Sequence, residues 1–159
     1  MAHASGETGI SLAIAAGVDS IEHGYYMTTG QLEQMREKGI AWVPTVAPIG
    51  NLLKYPTQRY SSHEINTLKR IQEMHLGKII EAYQLKVRLG VGTDSGAYQV
   101  PHADSLYDEM DWWVRAGIPK LEVYQSATRE NARILCSTEL GRLEVGTPMS
   151  LLQLGNELG

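Results

Sequence analysis

Three short stretches put chemistry-bearing side chains at the ends of apolar runs. Val87 to Val91 flows into Gly92-Thr93-Asp94-Ser95-Gly96, and an apolar run that ends in a glycine-flanked corner reads as a buried strand whose turn presents a carboxylate. Met1-Ala2-His3-Ala4-Ser5-Gly6 and Val18-Asp19-Ser20-Ile21-Glu22-His23-Gly24 have the same form with histidine in place of aspartate. His3, His23 and Asp94, each at the carboxyl end of a strand, make a candidate metal site. Each also has a plainer reading: a histidine can be a satisfied packing residue, and an Asp before Ser-Gly can cap its own turn through its side chain.

The elements that must position these residues alternate in type. Met1 to Ala4 reads as the end of a strand. Glu7 to Ala16 carries Ile10, Leu12, Ala13, Ile14 and Ala16 at helical spacing, and Gly17 supplies a C-cap. Val18 to His23 is the next strand. Thr28 or Thr29 caps a helix over Gln31 to Lys38, Gly39 ends it, and Ile40 to Val46 follows as a third strand broken by Pro44 and Pro48. Asn51 to Tyr60 has no period and reads as a surface loop. Ser61 or Ser62 with Glu64 opens a long helix through about Lys86, its apolar face running through Ile65, Leu68, Ile71, Met74 or His75, Ile79, Ala82 and Leu85. The strand leading to Asp94 is followed by a helix over Leu106 to Ala116 closed by Gly117. Ile118-Pro119 opens a last helix through Cys136. Leu151 to Leu154 reads as one more strand.

Repeated β–α units predict an α/β fold, either a parallel sheet covered on both faces or a (β/α) barrel. No Gly-x-Gly-x-x-Gly follows a strand, which argues against a dinucleotide-binding fold. The 159 residues, 43% of them hydrophobic and 20% charged, suffice for one globular domain with a real core. A net charge of −4 without a basic stripe excludes nucleic-acid and anionic-membrane binding as expectations. No apolar run approaches the roughly 20 residues of a membrane span. The single Cys136 has no charged sequence neighbour and reads as an inert core thiol, and a lone thiol suits a reducing, cytoplasmic location.

Taken in order, Ala2-His3-Ala4, Ala15-Ala16-Gly17-Val18-Asp19-Ser20-Ile21-Glu22-His23-Gly24, Val43-Pro44-Thr45 and Gly92-Thr93-Asp94-Ser95-Gly96 resemble the amidohydrolase superfamily. The likeness is to its imidazolonepropionase-like and Xaa-Pro dipeptidase-like branch. Ala116-Gly117-Ile118-Pro119, Ala127-Thr128 with Asn131-Ala132, and Leu140-Gly141-Arg142-Leu143 extend the resemblance over most of the chain. It implies a (β/α)8 barrel with one or two divalent metals at the strands' carboxyl ends. His3 then stands at the fifth-strand ligand position, His23 at the sixth, and Asp94 is the eighth-strand aspartate that touches metal and shuttles the proton. The first-strand His-x-His pair and the fourth-strand lysine have no counterpart. By the resemblance residues 1–138 are therefore the C-terminal half of a barrel, its fifth to eighth strands, and 139–159 a truncated remnant of the small β domain, as in a partial reading frame.

Imidazole and carboxylate ligands suit zinc, with a bound water as nucleophile and Asp94 as its base and later the acid for the leaving amine. The function so implied is metal-dependent hydrolysis of an amide or peptide bond in a small substrate, such as a dipeptide or cyclic amide, by a protein of which this chain is a part inactive alone. The alternative is a catalytically dead half-barrel that serves as an assembly or binding module. Tyr25, Tyr26, Thr45 and His102 follow strand ends and are candidate substrate contacts, with packing or solvent exposure as the plainer reading. Glu22, preceding His23, is expected to point towards the helices. A phosphate-cradling reading of Gly92 to Gly96 is opposed by its own carboxylate. Four strands of an eight-strand barrel leave open edges, so a homo-oligomer or association with a missing half is expected.

Overall fold

The computed structural model describes residues 1–55, 57–148 and 150. Its element order is β1 (Ala2–Ala4), α1 (Glu7–Ala16), β2 (Ser20–His23), α2 (Thr29–Lys38), β3 (Ala41–Val43), α3 (Ala47–Lys54), α4 (Ser62–Gln84), α5 (Asp104–Ala116), α6 (Lys120–Gln125), a π-helical stretch over Ser126–Glu130, and α7 (Asn131–Ile134). The strands form one parallel sheet in the order β1-β2-β3. This is the α/β organisation expected, with each strand returned to its neighbour through a helix.

Local chemistry explains most boundaries. Gly17 and Gly39 end α1 and α2 in the left-handed conformation. Thr28 with Gln31 and Ser61 with Glu64 each form a reciprocal capping box, which starts α2 and α4 where the sequence places them. The stretch expected as a loop from Asn51 is helical to Lys54, and α3 begins four residues earlier. Pro48 suits its first turn. Its remaining support is tertiary: a Cβ on Gly50 would fall 2.2 Å from Trp112 Nε1 of α5, so the two helices meet at a glycine.

The strand before Asp94 is shorter than its apolar run. It reduces to a single parallel bridge between Leu89 and Trp42, in which Trp42 N–H donates to Arg88 O and Gly90 N–H to Trp42 O, both at 2.9 Å. In parallel pairing this alternation turns the N–H and C=O of Val91 away from β3. There the side chain of Asn131 takes both: Oδ1 accepts from Val91 N–H at 3.0 Å and Nδ2 donates to Val91 O at 2.8 Å.

Ile21, Trp42 and Leu89, adjacent by register, lie on the sheet face packed by Ile10, Ile14, Leu32, Met35 and Ile79. His3, Glu22 and Val43 share the opposite face. Glu22 therefore does not turn towards the helices; it accepts a hydrogen bond from Ser20 Oγ at 2.7 Å on its own face. Along α4 the buried residues are Gln72, His75, Ile79 and Ala82, and it is His75, not the exposed Met74, that faces inward. Cys136 is exposed rather than buried in the core, because α7 ends two residues before it. Among the described residues from 139 onward there are turns and bends but no strand. Leu151 to Leu154, expected as a strand, lies outside the described residues. Among the described residues no helix is long and apolar enough to cross a membrane.

Candidate functional site

The corners that follow the strands share one backbone feature. His23 (φ 70°), Thr45 (φ 54°) and Asp94 (φ 54°) are all left-handed, in a region that non-glycine residues occupy uncommonly and that for β-branched threonine is strained. By strict alternation His23 would share the core face with Ile21. The left-handed turn swings it round instead, so that its ring lies 4.4 Å from that of His3, edge to face. Gly24 N–H donates to Ala4 O at 2.9 Å and ties the corner back to β1. A Cβ on Gly24, itself at φ 65°, would meet Met27 Cε and Trp42 Nε1 at 2.7 Å, so the corner needs glycine.

His23 is oriented by Thr45. Its Nδ1 lies 2.6 Å from Thr45 Oγ1, and the one hydroxyl proton of Thr45 is donated to Pro44 O at 2.7 Å. Oγ1 must then accept, so Nδ1 carries the imidazole proton and Nε2 is left with its lone pair. Burial lowers the His23 pKa, the neighbouring His3 lowers it further, and the charges of Asp94 and Glu22 oppose both. Both effects that lower it favour the neutral ring, the form that binds a metal.

Asp94 stands on the turn after Leu89 and is exposed. Ala97 N–H closes this turn on the Asp94 carbonyl at 3.2 Å, and Thr93 Oγ1 and Ser95 Oγ pair at 2.6 Å. No hydrogen bond ties the Asp94 carboxylate among the described residues. Its charge is felt at His23 and at Tyr25, so it belongs to the same corner. His102 folds back over the turn, since a Cβ on Gly96 would lie 3.8 Å from its Nε2.

Behind the histidines stands a set of rings. Tyr25 stacks at 6.2 Å from His23 and lies 4.5 Å from His75, which in turn meets Trp42 edge-on at 5.4 Å. Tyr25 donates its hydroxyl to Thr45 O at 3.1 Å, and burial pushes its pKa up, first among causes, so it holds its proton. His75 donates Nε2–H to Pro44 O at 2.9 Å; burial pushes its pKa down to about 4, and its Nδ1 has no hydrogen-bond partner among the described residues. Tyr26 is half exposed and, with Met27, Met74 and Lys78, lines an open groove of about 540 Å³ beside Tyr25.

The donor types fit a divalent ion in part. His23 offers a free Nε2, and its Nδ1–H is committed to an oxygen in the manner of metal-bound histidines. His3 stands beside it and Asp94 within electrostatic reach. Yet among the described residues no three His, Cys, Asp or Glu converge closely enough to hold a metal. Sequence reading found the histidines and Asp94 but not Glu109 of α5, whose carboxylate is wholly buried and accepts from Ala47 N–H at 2.6 Å. The available signal was an acidic residue in phase with the buried Met110 and Trp113 stripe.

Parallel strands with helices between them, and polar side chains gathered at the strands' carboxyl ends, define a barrel-type α/β domain. The sequence profile of the amidohydrolase family matches residues 1–154, and the chain belongs to that family. It is 31% identical over 127 residues to the ochratoxinase of Aspergillus niger, covering 80% of this chain and 26% of that protein. Among solved structures, it is similar to a Xaa-Pro dipeptidase with methionine bound in its active site (30% identity, TM-score 0.75, 91% of this chain and 36% of that one). A putative prolidase from Bifidobacterium longum is likewise similar (29% identity, TM-score 0.77, 91% and 38%), as is the ochratoxinase itself (28%, 0.77, 91% and 32%). The fold is thus part of a (β/α)8 amidohydrolase barrel, and the chain spans about a quarter of the curated ochratoxinase it matches.

Proposed function

We propose that this chain carries part of the active site of a metal-dependent hydrolase that cleaves an amide or peptide bond in a small substrate such as a dipeptide or cyclic amide. The observation that carries the reading is the His3–His23 pair, with the His23 tautomer fixed by Thr45 so that Nε2 is free. Relatives named for ochratoxin and Xaa-Pro cleavage support the reaction class. His3 and His23 would hold a zinc or similar divalent ion with Asp94, and the chemistry such an ion would supply there is a water of lowered pKa and polarisation of the substrate carbonyl.

The chain's own residues do the rest. Asp94, exposed and with no hydrogen bond on its carboxylate among the described residues, would accept the attacking water's proton and deliver it to the leaving amine. Tyr25 keeps its hydroxyl on Thr45 O, so it shapes the corner rather than exchanging a proton. Tyr26 and His102 are the exposed side chains from which a substrate would take contacts. Among the described residues the ligand set is incomplete, so the chain alone would turn over nothing and would depend on association, with its own copy or another polypeptide, to complete the site. The outer edge of β1, unpaired among the described residues, offers a surface for this.

Cobalt titration followed by visible absorption tests the reading. We expect about one ion per chain with nitrogen ligation, lost in His23→Ala and weakened in His3→Ala. Identical spectra in the wild type and both variants would refute it. The assembly-module alternative predicts no specific cobalt spectrum at all.

A further inference from the structure

Thr45 holds the tautomer of His23 only while its backbone stays left-handed, and three side chains from outside the strand fix the two peptide planes that set that conformation. His75 donates to Pro44 O at 2.9 Å and fixes the plane before Thr45. Tyr25 donates to Thr45 O at 3.1 Å and fixes the oxygen side of the plane after it. The nitrogen side of that second plane, Val46 N–H, faces Glu109, which also accepts from Ala47 N–H at 2.6 Å.

Glu109 does this from 62 positions along the chain. The local N-cap of α3, Val46, has no side-chain oxygen to serve its first amides, so the carboxylate of α5 replaces the Ser, Thr or Asp that usually stands there. Its other oxygen accepts from Trp113 Nε1 at 3.0 Å, which keeps the carboxylate from turning away. It is the one wholly buried carboxylate among the described residues. A buried acid with no substrate access has no part in proton transfer at the corner, yet one of its oxygens grips the amide two residues after Thr45 while Trp113 fixes the other.

We infer that Glu109 is a positioning residue for His23. By gripping the amides after Thr45 it holds Oγ1 against Nδ1–H and so keeps Nε2 of His23 free. The inference rests on the proposed function only in treating that nitrogen as the useful one; the positioning itself involves no metal.

The test is therefore made without metal, by NMR of the chain with ¹⁵N-labelled histidine and tryptophan. In Glu109→Gln the His23 Nδ1–H signal should exchange with solvent at least about tenfold faster, or vanish, since its acceptor is released. The Trp42 indole N–H, which donates to His23 O at 2.9 Å, should remain and show that the strands are intact. A folded Glu109→Gln protein with an unchanged His23 signal overturns the inference. Should that variant not fold, hydrogen exchange in the wild type decides: the His23 Nδ1–H and the Ala47 amide should open together across a denaturant series. An Ala47 amide still protected while the His23 proton exchanges freely would equally overturn it. Absence of cobalt binding, by contrast, would count against the proposed function and leave this result standing.

Discussion

A histidine can offer a ligand only the nitrogen that its other contacts leave free, and at His23 that choice is made by one hydroxyl. Thr45→Val preserves the branched shape and the packing at φ 54° but removes the acceptor. Loss of such a partner behind a metal-bound histidine typically weakens affinity by about 10–100-fold, so zinc competition measurements should show a drop of that order, with Thr45→Ser restoring most of it. His3, His23 and Asp94 were legible as candidates because glycines mark their corners and the preceding apolar runs mark strands. The part Thr45 plays was not legible, since it depends on a left-handed backbone held by side chains of α4 and α5 and on a proton that goes to Pro44 O. Nor did alternation describe His23 and Glu22 correctly. A period-two rule fails at the residue where the strand stops being a strand.

Helix starts with their own capping chemistry, α2 and α4, could be read directly, because the signal lies within four residues of sequence. α3 could not. Its first amides are served by Glu109, and its close approach to α5 depends on the missing side chain of Gly50. Gly50→Ala gains in helix propensity but puts a methyl group 2.2 Å from the Trp112 ring nitrogen. Overpacking of this kind costs about 1–3 kcal/mol, so urea melts should show a net loss of stability, and pairing the change with Trp112→Ala should recover part of it. The strand before Asp94 was overestimated for a related reason. Its apolar run records burial, but only Leu89 pairs with a strand, and the groups beyond are met by Asn131 instead.

Across the whole molecule two buried ionisable groups pull stability in opposite directions with pH. Burial pushes Glu109 up to about 7 from an ordinary 4.5, against the hydrogen bonds of Val46, Ala47 and Trp113. Unfolding thus releases a proton between those values, and its contribution, full below about pH 4.5, is lost as pH rises to about 7. Burial holds His75 down at about 4 from an ordinary 6.5. Unfolding takes up a proton there, and its contribution, full above about pH 6.5, is lost as pH falls to about 4. Each amounts to on the order of 3 kcal/mol at 1.36 kcal/mol per unit, and their slopes nearly cancel between about pH 4.5 and 6.5. Denaturant melts should therefore show a nearly level wild type over that window, tilted only by the lesser stability that the lowered His23 pKa removes as pH falls. Glu109→Gln should leave stability rising with pH, and His75→Gln should leave it falling.

Asn131 has a consequence for colloidal behaviour. By saturating both backbone groups of Val91 it occupies the place that a neighbouring strand would take, so Val91 offers no free ladder group to an incoming chain. Asn131→Leu would keep the bulk and reopen that template. Light scattering of the variant at moderate concentration should rise with time under conditions where the parent solution stays clear, and a variant as clear as the parent would mean that the edge is guarded by something other than this one amide.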